Sequence, residues 1–414
     1  MDETKLANEL YFAKEAADYL EITPQRLNKL IQEGKVKPLK KNASGTIFHI
    51  DELNRRKEEL EIFTKVGMGE TKSMFSIDSK VKQEALNYAT LMNVLKITEN
   101  KLEPEFDEFG KQFLVDTPID EKEMSKQYAE WFKVREDLLL KEYQKAKKAF
   151  LSLRETDEVL KRGSQDYPPM LAKTEQAPRF LYIRGKKSLL YETRTVALVG
   201  SRQASEMAKY NTKRLAEALG RNGITVVSGL AKGIDVSAHI AALDSGYNTI
   251  AVIGTNLNQY YPTENKGVQQ EIEEKGLVVS QFSPASKTER WFFPLRNGVM
   301  SGLSLATVIM EAGETSGALK QADFALKQGR QILIPESALK IESITWPAKY
   351  ISKGATLVSN PLDVLKALTQ NNIFKPCLME GAEQQTLEKY FNSQEKKKTK
   401  DGLVDWNAPI DVEE

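Results

Sequence analysis

Between about residues 160 and 370, short apolar runs alternate with segments whose apolar residues recur at helical spacing. "TVALVG", "ITVVSG", "TIAVIG", "LVVSQF", "LATVIMEA" and "QILIPE" are brief, apolar at successive positions and rich in Val and Ile. Such runs read as strands buried on both faces. Between them lie "AKYNTKRLAEALGRNG", "DVSAHIAALDSG", "NKGVQQEIEEKG" and "GALKQADFALKQG", each with an apolar stripe that one side of a helix would bury. The alternation predicts a doubly wound, mostly parallel α/β sheet with helices on both faces, a Rossmann-like domain.

The flanking regions carry other patterns. Residues 61–155 are charged and helical in composition, with apolar Tyr128, Trp131, Phe132, Val134 and Leu138 at three- and four-residue spacing. "SKVKQEALNYATLMNVLKI" and "EKEMSKQYAEWFKVREDLLLKEYQKAKKAFLSL" predict two long helices, read as a spacer or dimerisation region. Residues 8–60 predict a first helix over about Ala13–Leu20 and a second capped by Thr23. A hairpin turning at Asn42–Gly45 follows, then a third helix capped by Asp51. Residues 371–414, with "EKKKTK" and an acidic end, read as a mobile charged tail. The expected division is 8–60, 61–155, 156–370 and 371–414.

Composition narrows the chemistry. The 414 residues are 41% apolar with a net charge of +1, so a nucleic-acid surface must be a local patch. The single cysteine, Cys377, and two histidines, His49 and His239, leave no disulfide framework and no metal or cofactor motif. Without a signal peptide or an eighteen-residue apolar run, the chain is expected to be soluble and cytoplasmic.

In a sheet of this kind, ligands meet the carboxyl ends of the strands. The first such turn reads G-S-R-Q-A-S, not the G-x-G-x-x-G of a dinucleotide site, and no Walker A loop is present. Arg202 stands where a phosphate would approach a helix N-terminus; alternatively it pairs with a carboxylate such as Glu311 or Asp235. Lys232, between Gly229 and Gly233, is a second phosphate candidate. His239 reads as a packed histidine. "YYPTENKG" adds Lys266, and "RWFFPLRNG" sets Trp291, Phe292 and Phe293 between Arg290 and Arg296. Interleaved rings and guanidinium groups suit single-stranded nucleic acid, although any one of the rings could equally be core.

Together "VALVGSRQAS", "VVSGLAKGIDVSAHIAAL", "YYPTENK", "FFPLRNGVMSGLS", "EAGETSGALKQADFALKQGR" and "ILIPES" resemble the DNA-processing protein A family (DprA, also called Smf). The resemblance spans about residues 160–370. It implies an extended Rossmann fold that binds single-stranded DNA, dimerises, loads a RecA recombinase during transformation and is not an enzyme. Carried over by position, Ser201, Arg202, Gly229, Lys232, Gly233, Asp235, His239, Asn265, Phe293, Arg296, Asn297, Ser316 and Gly317 match the family's motif residues. The usual second arginine of F-P-x-R-N-R is Gly298 here, which removes a positive group; Lys320 is a candidate to offset it.

The N-terminal unit resembles a small excisionase or MerR-like winged helix-turn-helix. That resemblance makes Gln25, Arg26, Asn28 and Lys29 candidates for a DNA groove, and Lys40 and Lys41 candidates for duplex phosphates. A rival to the DNA-binding reading is a nucleotide sensor or hydrolase on a related Rossmann fold, in a mobile-element or defence setting.

Overall fold

The computed structural model describes residues 10–19, 27–28, 31–32, 36–42, 45–50, 52–53 and 75–370. The chain divides into two compact units, Met1–Ser73 and Met74–Glu414.

In the first unit, strands β1 (Leu10–Phe12), β2 (Lys40–Asn42) and β3 (Gly45–His49) form an antiparallel sheet in the order β1-β3-β2. Asn42 pairs with Gly45, which closes the hairpin between β2 and β3. Helix α1 (Ala13–Tyr19) follows β1 directly. Ala16, Ala17, Leu27, Val36, Phe48 and Leu53 make a small closed core. Strand β1 had no counterpart in the sequence reading.

The second unit opens with four helices: α2 (Lys80–Leu95), α3 (Glu99–Gly110), α4 (Lys122–Trp131) and α5 (Glu136–Leu151). Ser79 caps α2, accepting from the Lys82 amide at 3.2 Å. The single long helix expected from residue 121 onward is instead two, because Lys133 adopts φ 52° between α4 and α5. A left-handed residue cannot continue a right-handed helix. Tyr128 and Phe132 are buried, whereas Leu138 is exposed.

Next come β4 (Glu158–Lys161), α6 (Pro169–Ala172), β5 (Phe180–Gly185), β6 (Thr195–Gly200), α7 (Glu206–Arg221), β7 (Thr225–Ser228) and α8 (Ile234–Asp244). They are followed by β8 (Thr249–Val252), α9 (Lys266–Lys275), β9 (Leu277–Ser280), α10 (Phe292–Gly302), β10 (Ala306–Glu311) and α11 (Gly317–Lys327). The last elements are β11 (Gln331–Pro335), α12 (Trp346–Ile351), β12 (Thr356–Val358) and α13 (Pro361–Gln370). The strands form one nine-stranded sheet, β12-β11-β10-β6-β7-β8-β9-β5-β4. Seven of them, β6 to β12, run parallel, while β5 and β4 add an antiparallel edge. The sheet is Rossmann-like, and its order reverses between β6 and β10.

Alternation along each strand serves two cores. Val199, Val227 and Ile309 enter the core under α10 and α11. Val196, Leu198, Val226 and Val308 enter the core under α7 and α8. A third core joins the α2–α5 helices to the sheet: Phe106, Tyr128 and Phe150 share it with Phe180, Tyr182 and Val278. Residues 80–153 are therefore a layer on the sheet and not a detached spacer. Ion pairs cross the same boundary. Arg179 meets Glu84 at 2.9 Å and Asp107 at 2.6 Å, and Lys161 meets Glu84 at 2.6 Å.

Candidate nucleic-acid interface

The strand-end turns expected to bind phosphate do different things. After β6, Ser201 N–H donates to the Glu311 carbonyl at 2.6 Å, which ties the turn to the end of β10. Ser205 caps α7, accepting from the Ala208 amide at 3.2 Å. The Glu311 carboxylate then accepts from the Ser205 hydroxyl at 2.6 Å and its amide at 3.0 Å. A negative group of the chain's own therefore occupies the positive end of this helix, in the crevice where the strand order reverses. Arg202 forms no ion pair among the described residues, so neither Glu311 nor Asp235 takes it up.

The open site lies one step along the sheet, over the ends of β7 and β8. Arg202, Gly229, Ala231, Lys232, Gly254, Tyr261, Pro262, Phe293 and Arg296 line a cavity of about 70 Å³. That space has room for a few waters or one phosphate group, and it opens to solvent. The lining contains no carboxylate.

Arg296 forms the floor. It is 5% exposed on α10, and its Nη1 donates to the Gly229 carbonyl at 2.6 Å and to the Val252 carbonyl. Its Nε donates to Asn297 Oδ1 at 3.1 Å. Two strand ends thus share one guanidinium. Burial pulls its pKa down to about 10, opposed by Asp235, so it stays cationic at neutral pH. Asp235, equally buried, accepts from the Gly229 amide at 3.2 Å. Burial holds its carboxyl above the usual range, with Arg296 drawing it back.

The rim is exposed. Arg202 faces solvent, and Lys232 pairs with Glu264 at 2.5 Å, both about half exposed. Phe293 meets Tyr261 with ring centroids 5.0 Å apart, and Tyr261 is 52% exposed. The other rings of the cluster separate. Phe292 stacks on Phe282 at 3.8 Å as core, and Trp291 packs edge-on against it while remaining exposed.

Of the residues expected from sequence, Arg202, Gly229, Lys232, Phe293 and Arg296 come together. The others sit elsewhere. Ser201 accepts the Gln203 amide at its own turn. Gly233 has φ 76° and lies against the Ser201 carbonyl, where a Cβ would collide. Lys266 stands over the Tyr260 ring at 5.2 Å. Asn297 donates to the Gly317 carbonyl at 3.3 Å, and Ser316 caps α11. Lys320 is exposed on α11 and does not line the cavity. Position 298 packs against Gln176 and Phe324, away from the cavity, so the glycine there takes no charge from the lining. Gly254, Tyr261 and Pro262 join the site; their place at the end of β8 was the available signal.

His239 is fully buried, with Nδ1 2.8 Å from Thr249 Oγ1, whose own proton goes to the Val226 carbonyl. Nδ1 therefore carries the hydrogen. Burial pushes its pKa down to about 3, so it is a neutral structural group. Among the described residues, no cluster of His, Cys, Asp and Glu could hold a metal, and no helix is long and apolar enough to cross a membrane. In the first unit, Asn28 is exposed on a helical segment, and Lys40 is exposed on β2. Lys41 also lies on β2, whereas Gln25, Arg26, Lys29 and the tail 371–414 lie outside the described residues.

Comparison with known proteins adds a lineage. The family model for DNA recombination-mediator protein A matches residues 158–369. The chain is 31% identical over 211 residues to the DNA processing protein DprA of Bacillus subtilis, covering 51% of this chain and 71% of that protein. It is 38% identical over 201 residues to DprA of Streptococcus pneumoniae, covering 48% and 70%. The X-ray structure of the Streptococcus pneumoniae protein superposes with a TM-score of 0.53 at 30% identity, covering 69% of this chain and 95% of that one.

Proposed function

The chain belongs to the DNA recombination-mediator protein A family, and on that premise we propose that it holds single-stranded DNA across the strand-end edge of its Rossmann-like sheet. One observation carries the reading. Arg202, Lys232 and Arg296 converge with Tyr261 and Phe293 on a single phosphate-sized cavity whose lining has no acid. Cationic groups suit the backbone, and the exposed face of Tyr261 suits an unpaired base. The Glu311 carboxylate at the head of α7 weighs against a nucleotide hydrolase or sensor that would use the crevice where the strand order reverses.

In this reading the protein is a non-catalytic, cytoplasmic homodimer that presents bound strands to a RecA-type recombinase, as the family resemblance suggests. The N-terminal unit adds contacts to duplex DNA through Gln25, Arg26, Asn28, Lys29, Lys40 and Lys41, the residues that its sequence resemblance singles out. The test is fluorescence anisotropy of labelled single- and double-stranded oligonucleotides, titrated with the full chain at several salt concentrations. Arg202→Ala weakens single-strand binding and lowers the salt slope by about 0.7, the value for one lost phosphate contact. Unchanged affinity and slope in that variant, with the fold intact, would remove Arg202 from the site.

A further inference from the structure

One wall of the cavity is the loop between β8 and α9. Its near side supplies Gly254, Tyr261 and Pro262. Its far side is bonded to the segment that follows helix α5, outside the residues matched by the family model. Arg154 Nη2 donates to the Tyr260 hydroxyl at 3.2 Å and to Glu273 Oε2 at 2.7 Å. Asn258 Nδ2 donates to Ser152 Oγ at 2.9 Å. Glu273 is buried on α9 and is shared with Arg184, whose Nη1 also holds the Leu257 carbonyl at 2.9 Å. A buried carboxylate with several charge-assisted bonds is a rigid anchor. Tyr260 is tied to it, and Tyr261 is the next residue.

We propose that Arg154 is a positioning residue for the strand-binding cavity, fixing the Tyr261–Pro262 wall through Tyr260 and Glu273 without touching the bound strand. This deepens the reading of the cavity as a DNA site and rests on it. Arg154 reaches the loop from the helical side, so the helical layer acts on the site as well as on stability. Leu257, in the same loop, is buried in the core shared with those helices, which gives the brace a firm base.

The test compares Arg154→Met, which keeps the apolar stem, with Arg154→Lys, which restores one donor. Two measurements are made on the full-length chain: amide hydrogen exchange of residues 257–262 without DNA, and affinity for oligothymidine across salt concentrations. Arg154→Met should exchange faster in the loop and bind roughly three- to tenfold more weakly, the scale of one ordinary hydrogen bond, because the loss reaches the strand only through the wall. Its salt slope should be unchanged, because no phosphate contact is lost, and Arg154→Lys should recover part of both effects. Unchanged loop exchange in Arg154→Met overturns the brace. Faster exchange with unchanged affinity overturns its role in binding, and a reduced salt slope shows that Arg154 contacts the strand directly, which also overturns it. If the wild-type chain binds no oligothymidine, the DNA reading fails by itself, and the exchange data still decide whether Arg154 holds the wall.

Discussion

Arg296 Nη1 lies 2.6 Å from the Gly229 carbonyl, in the space that any side chain at position 229 would occupy. The glycine and the guanidinium are one device: β7 ends without a Cβ so that α10 can place a cation beneath the cavity. Gly229→Ala should therefore displace Arg296, destabilise the fold by about 1–3 kcal/mol as overpacking does, and weaken single-strand binding as well. Gly267→Ala is the control, since a Cβ there meets open space; it should melt at or slightly above wild type. Thermal unfolding and anisotropy on both variants check the pair. An undisturbed Gly229→Ala protein would show that Arg296 can move aside at no cost.

Lys232 is not idle in the DNA-free protein, because Glu264 sits 2.5 Å away. An incoming phosphate must replace that carboxylate. Glu264→Gln should raise single-strand affinity, and Lys232→Ala should lower it. In the double variant, the gain from Glu264→Gln should disappear. The exposed pair contributes little to stability, so melting temperatures should stay near wild type. A Glu264→Gln protein that binds no better would mean that Lys232 does not meet the strand.

His239 makes stability depend on pH. Its folded pKa of about 3 lies below its ordinary value of 6.5, so the unfolded chain takes up the proton first as pH falls. The stabilisation is complete above pH 6.5 and drains away between 6.5 and 3. From pH 6.5 to 5 the loss from this group is up to about 2 kcal/mol. His239→Asn keeps a donor for Thr249 and should flatten the decline over that interval, read from urea midpoints. Parallel pH profiles for the two proteins would contradict the assignment.

The boundary between the units can be tested by truncation. A chain starting at residue 74 retains the helices that cover Phe180, Tyr182 and Val278 and should unfold cooperatively near the full-length temperature. A chain starting at residue 156 exposes that surface. It also strips Arg179, 9% exposed, of Glu84 and Asp107, and stranding a buried cation costs about 3–5 kcal/mol. It should aggregate or melt well below the longer fragment. Equal melting of the two would make the helical layer dispensable for folding.

What the sequence disclosed and what it hid have physical reasons. Strands such as Val196–Val199 were legible because burial on both faces leaves an unbroken apolar run. The edge strand β4 was not, since Glu158 and Lys161 make it look like a loop. Helix α3 was hidden by Pro104 inside it. The apolar stripe carrying Tyr128 and Phe132 was plain, but a stripe does not say what covers it, and here the cover is the sheet. At the site, residue type found the cations but not their depth. Arg202 and Arg296 read alike in sequence, yet one is exposed and the other lies beneath two carbonyls.

The carboxylate of Glu311 at the head of α7 bears on what the protein can ignore. A sheet of this topology normally offers its reversal crevice to a small phosphorylated metabolite, and here the chain keeps a permanent tenant in that berth. A mononucleotide would then be shut out of that crevice, however abundant it is. A polymer that drapes over the neighbouring edge, gripped a little at each of many points, would be recognised by its continuity, so the fold would act as a filter that answers to strands and stays silent to their building blocks.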